Sequence, residues 1–231
     1  MREIVLDTET TGLDPFDGHR VVEIGAVELV NHIPTGRTYQ EYINPERDMP
    51  AEAEKVHGIT EAFLMDKPVF ATIADGFLAF LEQDAHGEAS AAQLVIHNAS
   101  FDMKFLNFEL GKLGYEAISN DRVIDSLALA RQRFPGAPAN LDALCRRFDV
   151  DISARTKHGA LLDSELLAEV YLGLIGGRQP GLDLAVSDGR NRTGVKKDRV
   201  RREPRHHAPT ADEMEAHEAF LQQLKDPIWS R

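Results

Sequence analysis

The chain has 231 residues, which is enough for one domain with an appendage, and a formal charge of −12 at pH 7. Such a negative surface repels nucleic acid at long range, so any contact with nucleic acid is expected to be local and metal-assisted. Cys145 is the only cysteine and no stretch is apolar enough to span a bilayer, which excludes disulfides, thiolate metal clusters and membrane insertion and predicts a soluble cytoplasmic protein.

The beginning of the chain predicts three strands joined by short turns. A continuous apolar run at residues 4–6 is typical of a strand that is buried on both faces. Two further strands are predicted at residues 20–30 and 37–43, and a turn at residues 31–36 separates them. Short connections of this kind indicate an antiparallel meander.

The rest of the chain adds helices and two more strands. Strands are predicted at residues 94–97 and 122–124, and apolar residues at helical spacing predict helices at residues 49–55, 70–84, 101–113, 126–133, 140–150 and 160–174. Cys145 lies on the apolar face of one of these helices, so we expect it to be a core residue. A run of strands followed by alternating strands and helices predicts an α/β fold with a mixed sheet flanked by helices.

The composition changes sharply after the last of these helices. Residues 178–209 contain few large apolar side chains and a basic cluster, so we interpret them as a disordered linker that follows a folded domain at residues 1–177. Within the final segment, residues 210–231, helical character returns at residues 211–224. An amphipathic segment without a core of its own is expected to dock on a partner, and packing back on the parent domain is the alternative.

Two carboxylates follow the first predicted strand directly. Asp7 and Glu9 are two residues apart, so in a strand their side chains point the same way. Neighbouring acids at the end of a central strand repel each other and lose hydration, which a fold tolerates mainly when a cation lies between them. The alternative is a strand that ends in an acidic, solvated turn.

Two more acids and a histidine extend this acidic set. Asp102 is expected in the first turn of a helix, where complementing the helix dipole is the alternative to a functional role. Asp163 lies among leucines one turn into the last helix of the domain, where an acid is costly unless it is paired or bound to metal. His158 precedes Asp163 by five positions and does not share its helix face, so a loop must bring it in.

In this order, the motifs resemble those of the DEDDh class of 3′–5′ exonucleases and, within it, the epsilon proofreading subunits of bacterial DNA polymerase III. The motifs are residues 7–12, 97–102 and 158–163, and the supporting stretches are residues 56–59, 134–136 and 141–145. The resemblance covers residues 2–177. It implies a ribonuclease H-like fold and metal-dependent release of 5′-mononucleotides from a DNA 3′ end.

The resemblance also implies a role for each acid. Phosphodiester hydrolysis needs an activated water and charge relief for the leaving oxygen, and two divalent ions about 4 Å apart supply both. Mg²⁺ or Mn²⁺ suits a set of carboxylates without cysteines. Asp7 would bridge both ions, Glu9 and Asp163 would complete one ion site, and the other would be supported by Asp102. His158 would take the proton of the attacking water, since histidine titrates near neutral pH.

The same resemblance predicts the residues that contact the terminal nucleotide. They are Asp7, Glu9, Thr10, Thr11, Gly12, Glu52, His57, Asn98, Phe101 and Asp163. Glu52 would hydrogen-bond the 3′ hydroxyl of the sugar, and His57 would stack on or flank the base. The alternatives are a loop histidine without a task for His57 and a core residue for Phe101.

The tail predicts two protein partners. Gln179, Leu182 and Leu184 resemble the Gln-x-x-Leu-x-Leu peptide by which bacterial replication proteins bind the sliding clamp. Residues 210–231 would then anchor the chain to the alpha subunit of DNA polymerase III. The linker would give a high effective concentration without fixing the orientation of the nuclease.

Two other functions remain open at this point. A stand-alone DEDDh exonuclease acting on RNA or single-stranded DNA would not need the linker and the amphipathic tail. A replisome scaffold without activity would not need the four acids and the histidine that the resemblance assigns to catalysis.

Overall fold

A five-stranded mixed sheet forms the centre of the fold. The computed structural model describes residues 1–153, 157–177 and 208–223. The strands are β1 (Arg2–Thr10), β2 (Val21–Val30), β3 (Ile33–Tyr42), β4 (Gln93–Ile96) and β5 (Val123–Asp125). Their order is β3-β2-β1-β4-β5; the first three pair antiparallel, and β1, β4 and β5 are parallel to one another. The predicted meander and mixed sheet are confirmed.

Helices flank the sheet on both sides. The helices of the described ranges are α1 (Ala51–His57), α2 (Glu61–Leu64), α3 (Phe70–Glu82), α4 (Ala99–Lys112), α5 (Ser126–Arg133), α6 (Leu141–Phe148), α7 (Ala160–Leu174) and α8 (Ala211–Leu221). Helices α3 and α4 pack on one face, and α5, α6 and α7 pack on the other.

Alternation along β1 separates the two cores and directs the acids. Ile4 and Leu6 belong to the core beneath α3 and α4. Val5 belongs to the core beneath α6 and α7. Because strand side chains alternate, Asp7 and Glu9 continue the Val5 face, on the side of the sheet that α7 covers.

The hairpin between β2 and β3 differs from the prediction. We expected a turn at residues 31–36, whereas β3 already begins at Ile33. Asn31 and His32 have φ values of 51° and 65°, which make a two-residue turn. Gly36 lies inside β3 at φ 85°, where the pairing of β2 with β3 shifts its register.

Other predicted boundaries also need correction. Strand β1 continues to Thr10, so Asp7 and Glu9 lie inside a strand rather than after its end. Helix α4 begins at Ala99, two residues earlier than expected. The four-residue helix α2 was not predicted, because it is too short to show an apolar repeat. Cys145 is fully buried, as predicted.

Helix α8 belongs to a second unit of the chain and is described by itself. The chain divides into units of residues 1–183 and 184–231. Thr210 and Glu213 cap α8 reciprocally: each side chain accepts a hydrogen bond from the backbone N–H of the other residue, at 3.3 and 2.8 Å.

Parts of the predicted tail lie outside the described residues. These parts are residues 178–207, which contain the clamp-binding-like peptide, and residues 224–231. In the portion of the chain that the structure describes, no helix combines the length and the apolar character needed to cross a membrane.

Candidate active site

Strand β1 presents Asp7 and Glu9 on one face near its end. Asp7 lies opposite Gly25 of β2, and Glu9 lies opposite Glu23. On its other edge β1 pairs with β4 only as far as Val5. Both acids therefore lie beyond the β1–β4 ladder, where the sheet opens beside its central strand.

Asp102 reaches the same region from the helix that follows β4. Asn98, with φ 64° and ψ 50°, turns the chain from β4 into α4. Asp102 is buried in the first turn of α4. Its Oδ1 accepts hydrogen bonds from the Thr8 amide at 3.0 Å and from Thr8 Oγ1 at 2.7 Å. These bonds fix the carboxylate against the residue that separates Asp7 from Glu9.

Helix α7 supplies the fourth carboxylate, and the loop before it supplies the histidine. Asp163 is 3% exposed and lies one turn into α7. Nδ1 of His158 lies 3.1 Å from Asp163 Oδ2, and the His158 side chain is half exposed. Glu9, His158 and Asp163 each offer a ligand atom, and these atoms lie within 4.8 Å of one another.

The four carboxylates are costly to ionise together. Burial raises the pKa of Asp7 well above its ordinary value, and the charges of Asp102 and Glu9 raise it further. Burial raises the pKa of Glu9 to about 8, although nearby His158 lowers it. Burial also raises the pKa of Asp102 to about 7, although the hydrogen bonds from Thr8 lower it. A cation bound among these groups would favour their charged forms.

The residues fit a divalent metal centre. Their donors are carboxylate oxygens with one imidazole in reach, and hard divalent cations prefer oxygen donors. Burial makes the charged forms of Asp7, Glu9 and Asp102 costly, and a bound cation would offset this cost. The structure thus brings together all five residues that were predicted to be catalytic.

A cleft of about 590 Å³ opens beside these acids. Its lining includes seven of the predicted substrate contacts: Glu9, Thr10, Thr11, Gly12, Glu52, His57 and Phe101. Glu9 lines the same cleft, so a nucleotide bound there would lie against the acidic centre. Asn98 instead lines a separate cleft with His97 and Arg131, and its contact with substrate stays a prediction.

His57 is a buried side chain at the end of α1, not an exposed loop histidine. It is 6% exposed. Its Nδ1 accepts a hydrogen bond from the Ile59 amide at 3.0 Å, which places the hydrogen on Nε2. Nε2 is buried and has no well-formed hydrogen bond among the described residues, and the nearest acceptor for it is the Thr10 backbone. Burial lowers the pKa of the ring, although the contact with the Thr10 backbone raises it. Burial therefore favours a neutral His57 ring in the wall of the cleft.

Glu23 is a buried acid that the sequence analysis did not single out. It is 1% exposed, and its Oε2 accepts a hydrogen bond from the Ala160 amide at 3.1 Å. A signal for it was present, because Glu23 lies between Val22 and Ile24 in a predicted strand. An acid in apolar surroundings is the same pattern that pointed to Asp163.

Comparison with known proteins decides the family. The model of the exonuclease family matches residues 4–171. DNA polymerase III subunit epsilon of Rickettsia felis is 49% identical over 230 residues, which cover 97% of each chain. The chain belongs to the epsilon-subunit family of exonucleases. DNA polymerase III subunit epsilon of Escherichia coli K12 is 47% identical over 184 residues, covering 77% of this epsilon-type chain and 72% of its relative.

Solved structures share the fold of this epsilon-type chain. The nuclease domain of 3′hExo, a DEDDh family member bound to rAMP, matches with a TM-score of 0.63 and 19% identity over 75% of this chain and 91% of that one. The zinc-bound complex of E. coli ExoI with single-stranded DNA matches with a TM-score of 0.64 and 18% identity over 78% and 41% of the two chains. The likeness confirms the predicted ribonuclease H-like fold.

Proposed function

We propose that this epsilon-type exonuclease removes mispaired nucleotides from DNA 3′ ends during replication and releases 5′-mononucleotides. The observation that carries the proposal is the convergence of the acids and the histidine beside a cleft of nucleotide size. These residues are Asp7, Glu9, Asp102, His158 and Asp163.

Two divalent cations, Mg²⁺ or Mn²⁺, held by the four carboxylates would supply charge relief for the phosphate and an activated water. The chain itself orients the proton acceptor. The contact of His158 Nδ1 with the Asp163 carboxylate places the hydrogen of the neutral ring on Nδ1. Nε2 is then the atom that accepts a proton from the attacking water, and the half-exposed ring passes it to solvent.

The cleft would hold the terminal nucleotide. Thr10, Thr11 and Gly12 bring backbone and hydroxyl groups to its wall, and Glu52, which also lines it, would hydrogen-bond the 3′ hydroxyl. The ring of His57 also lies in the wall of the cleft, where it would flank the nucleotide.

We extend the proposal to the partners of the tail. The epsilon relatives are named as subunits of DNA polymerase III, and this chain would join the alpha subunit through residues 210–231. Met214 and Phe220 of α8 are 45% and 54% exposed, which suits a helix that docks on another protein. Gln179, Leu182 and Leu184 would bind the sliding clamp.

A truncation separates this proposal from a stand-alone exonuclease. The full chain and residues 1–177 would be mixed with the alpha subunit, and both would be given a 3′-mismatched DNA primer and an RNA of the same sequence. We expect residues 1–177 to keep nuclease activity and lose polymerase association. Equal polymerase binding by both proteins, or a preference for RNA, would favour the stand-alone enzyme, and complete inactivity would favour a scaffold.

A further inference from the structure

We infer that Glu23 is a positioning residue that holds the start of α7 against β2 and so places Asp163 and His158 beside Glu9. The inference rests on the proposed metal-dependent function. Glu23 lies opposite Glu9 in the β1–β2 pair and is almost completely buried. Its position therefore links the strand acids to the helix that carries the rest of the site.

Helix α7 has no N-terminal cap from its own segment. Its N-cap residue is Gly159, which has no side chain to accept a backbone hydrogen bond. The carboxylate of Glu23 takes this place, since its Oε2 accepts the Ala160 amide at 3.1 Å. A negative charge at a helix N-terminus also complements the helix dipole.

Two further contacts fix the same junction. Ser164 Oγ donates a hydrogen bond to the Gly25 carbonyl oxygen at 2.9 Å. A Cβ added to Gly25 would lie 2.1 Å from the Ala160 carbonyl carbon and from the Leu161 nitrogen. The first turn of α7 therefore packs directly on the backbone of β2, and the hydrogen bond from Ala160 to Glu23 fixes the position of its first residue.

The second oxygen of Glu23 is also engaged by the chain. Nε2 of Gln40, on β3, donates a hydrogen bond to Oε1 at 2.8 Å. With one oxygen on Ala160 and the other on Gln40, the carboxylate is oriented by protein groups. This favours a role through α7 rather than a role as a further metal ligand.

The position of α7 matters for two residues of the site. Asp163 lies three residues after the capped amide, and His158 lies two residues before it. Displacement of the helix start would move both side chains relative to Glu9. Loss of hydrogen-bond partners behind metal ligands typically costs about tenfold to a hundredfold in metal affinity or activity.

Three variants of the full chain separate position from charge. Glu23→Gln keeps the reach and loses the charge, Glu23→Asp keeps the charge and loses the reach, and Glu23→Ala loses both. Binding of Mn²⁺ alone, without DNA, would be measured by electron paramagnetic resonance. We expect the Gln variant to keep most of the wild-type affinity and the Asp and Ala variants to bind about tenfold to a hundredfold more weakly.

Hydrogen exchange at the amides of residues 160–164 reports the helix start directly. We expect faster exchange there in the Asp and Ala variants. Glu28→Ala is the matched control, because Glu28 is equally buried on β2 but is held by Arg2 and Arg37 away from α7. It should lower Tm and leave Mn²⁺ affinity unchanged.

The outcomes distinguish the inference from the proposed function. Wild-type Mn²⁺ affinity in the Asp variant, or a loss in the Gln variant as large as in the Ala variant, would overturn the positioning role. A wild-type protein that binds no Mn²⁺ would instead contradict the proposed metal-dependent function. The Asp and Gln variants decide the matter even if the Ala variant does not fold.

Discussion

At the scale of single residues, His158 is separable from the buried acids that surround it. Its side chain is half exposed, so its replacement leaves the buried core intact. We expect His158→Gln to lower kcat by about 10²- to 10⁴-fold, the usual contribution of a general base, with little change in Tm. Initial rates on a 3′-mismatched primer would measure this loss, with His86→Gln, at an exposed site, as the control. Unchanged kcat in His158→Gln would contradict the assignment.

The sequence could predict the acids but not all of their supports. Asp163 was predictable because an acid among leucines is costly without a partner. The alternative for Asp102, a carboxylate that only complements the helix dipole, does not account for its two hydrogen bonds to Thr8. Glu23 stands out as an acid between apolar strand residues, but its hydrogen bond to Ala160, 137 positions away, could not be predicted because it depends on tertiary packing.

At the scale of secondary structure elements, the contact of α7 with β2 depends on Gly25. A methyl group there would overlap the first turn of α7. We expect Gly25→Ala to lower the free energy of unfolding by about 1–3 kcal/mol, the usual cost of overpacking, and to reduce Mn²⁺ binding. Urea unfolding would measure the first effect. A variant as stable as wild type would contradict the close approach of α7.

At a second glycine, Gly76, we expect replacement by alanine to increase stability rather than decrease it. Gly76 lies inside α3, is exposed, and has open space where a Cβ would be. We expect Gly76→Ala to raise the free energy of unfolding by about 0.5–1 kcal/mol, because alanine restricts the unfolded chain and favours the helix. Urea unfolding under the same conditions would check this value. A loss of stability would show that the space at residue 76 is occupied.

Elements with a clear apolar period were predicted well, and those set by turns were not. Helix α7 occupies the predicted bounds, since its leucines recur at helical spacing. The start of β3 was misplaced because Asn31 and His32 form a tight turn in which both residues adopt positive φ. Residues other than glycine adopt positive φ only occasionally, so the sequence did not mark Asn31 and His32 as a complete two-residue turn.

At the scale of the whole molecule, the acidic centre couples stability to pH and to metal. Folding raises the pKa of Glu9 from 4.5 to about 8 and that of Asp102 from 3.8 to about 7. At pH values between the ordinary and the raised pKa of these groups, the folded metal-free protein binds more protons than the unfolded chain. Its stability therefore decreases as pH rises through this range. We expect Tm in EDTA to fall from pH 5 to pH 8 and Mg²⁺ to raise Tm most at pH 8.

Glu9→Gln provides the matched test of this coupling. It removes one of the shifted carboxyl groups, so its Tm in EDTA should depend less on pH than that of the wild type. Differential scanning calorimetry across this pH range would compare the two proteins. An equally steep dependence in the variant would assign the effect to groups other than Glu9.

The central claim is that the acidic centre hydrolyses DNA from its 3′ end with bound divalent cations. The most direct measurement is digestion of a 3′-mismatched primer by the wild type and by the double variant Asp7→Ala with Glu9→Ala, each with Mg²⁺ and with EDTA. We expect the wild type to release 5′-mononucleotides only with Mg²⁺ and the double variant to release none. Equal activity in both proteins, or activity of the wild type in EDTA, would contradict this assignment of the site.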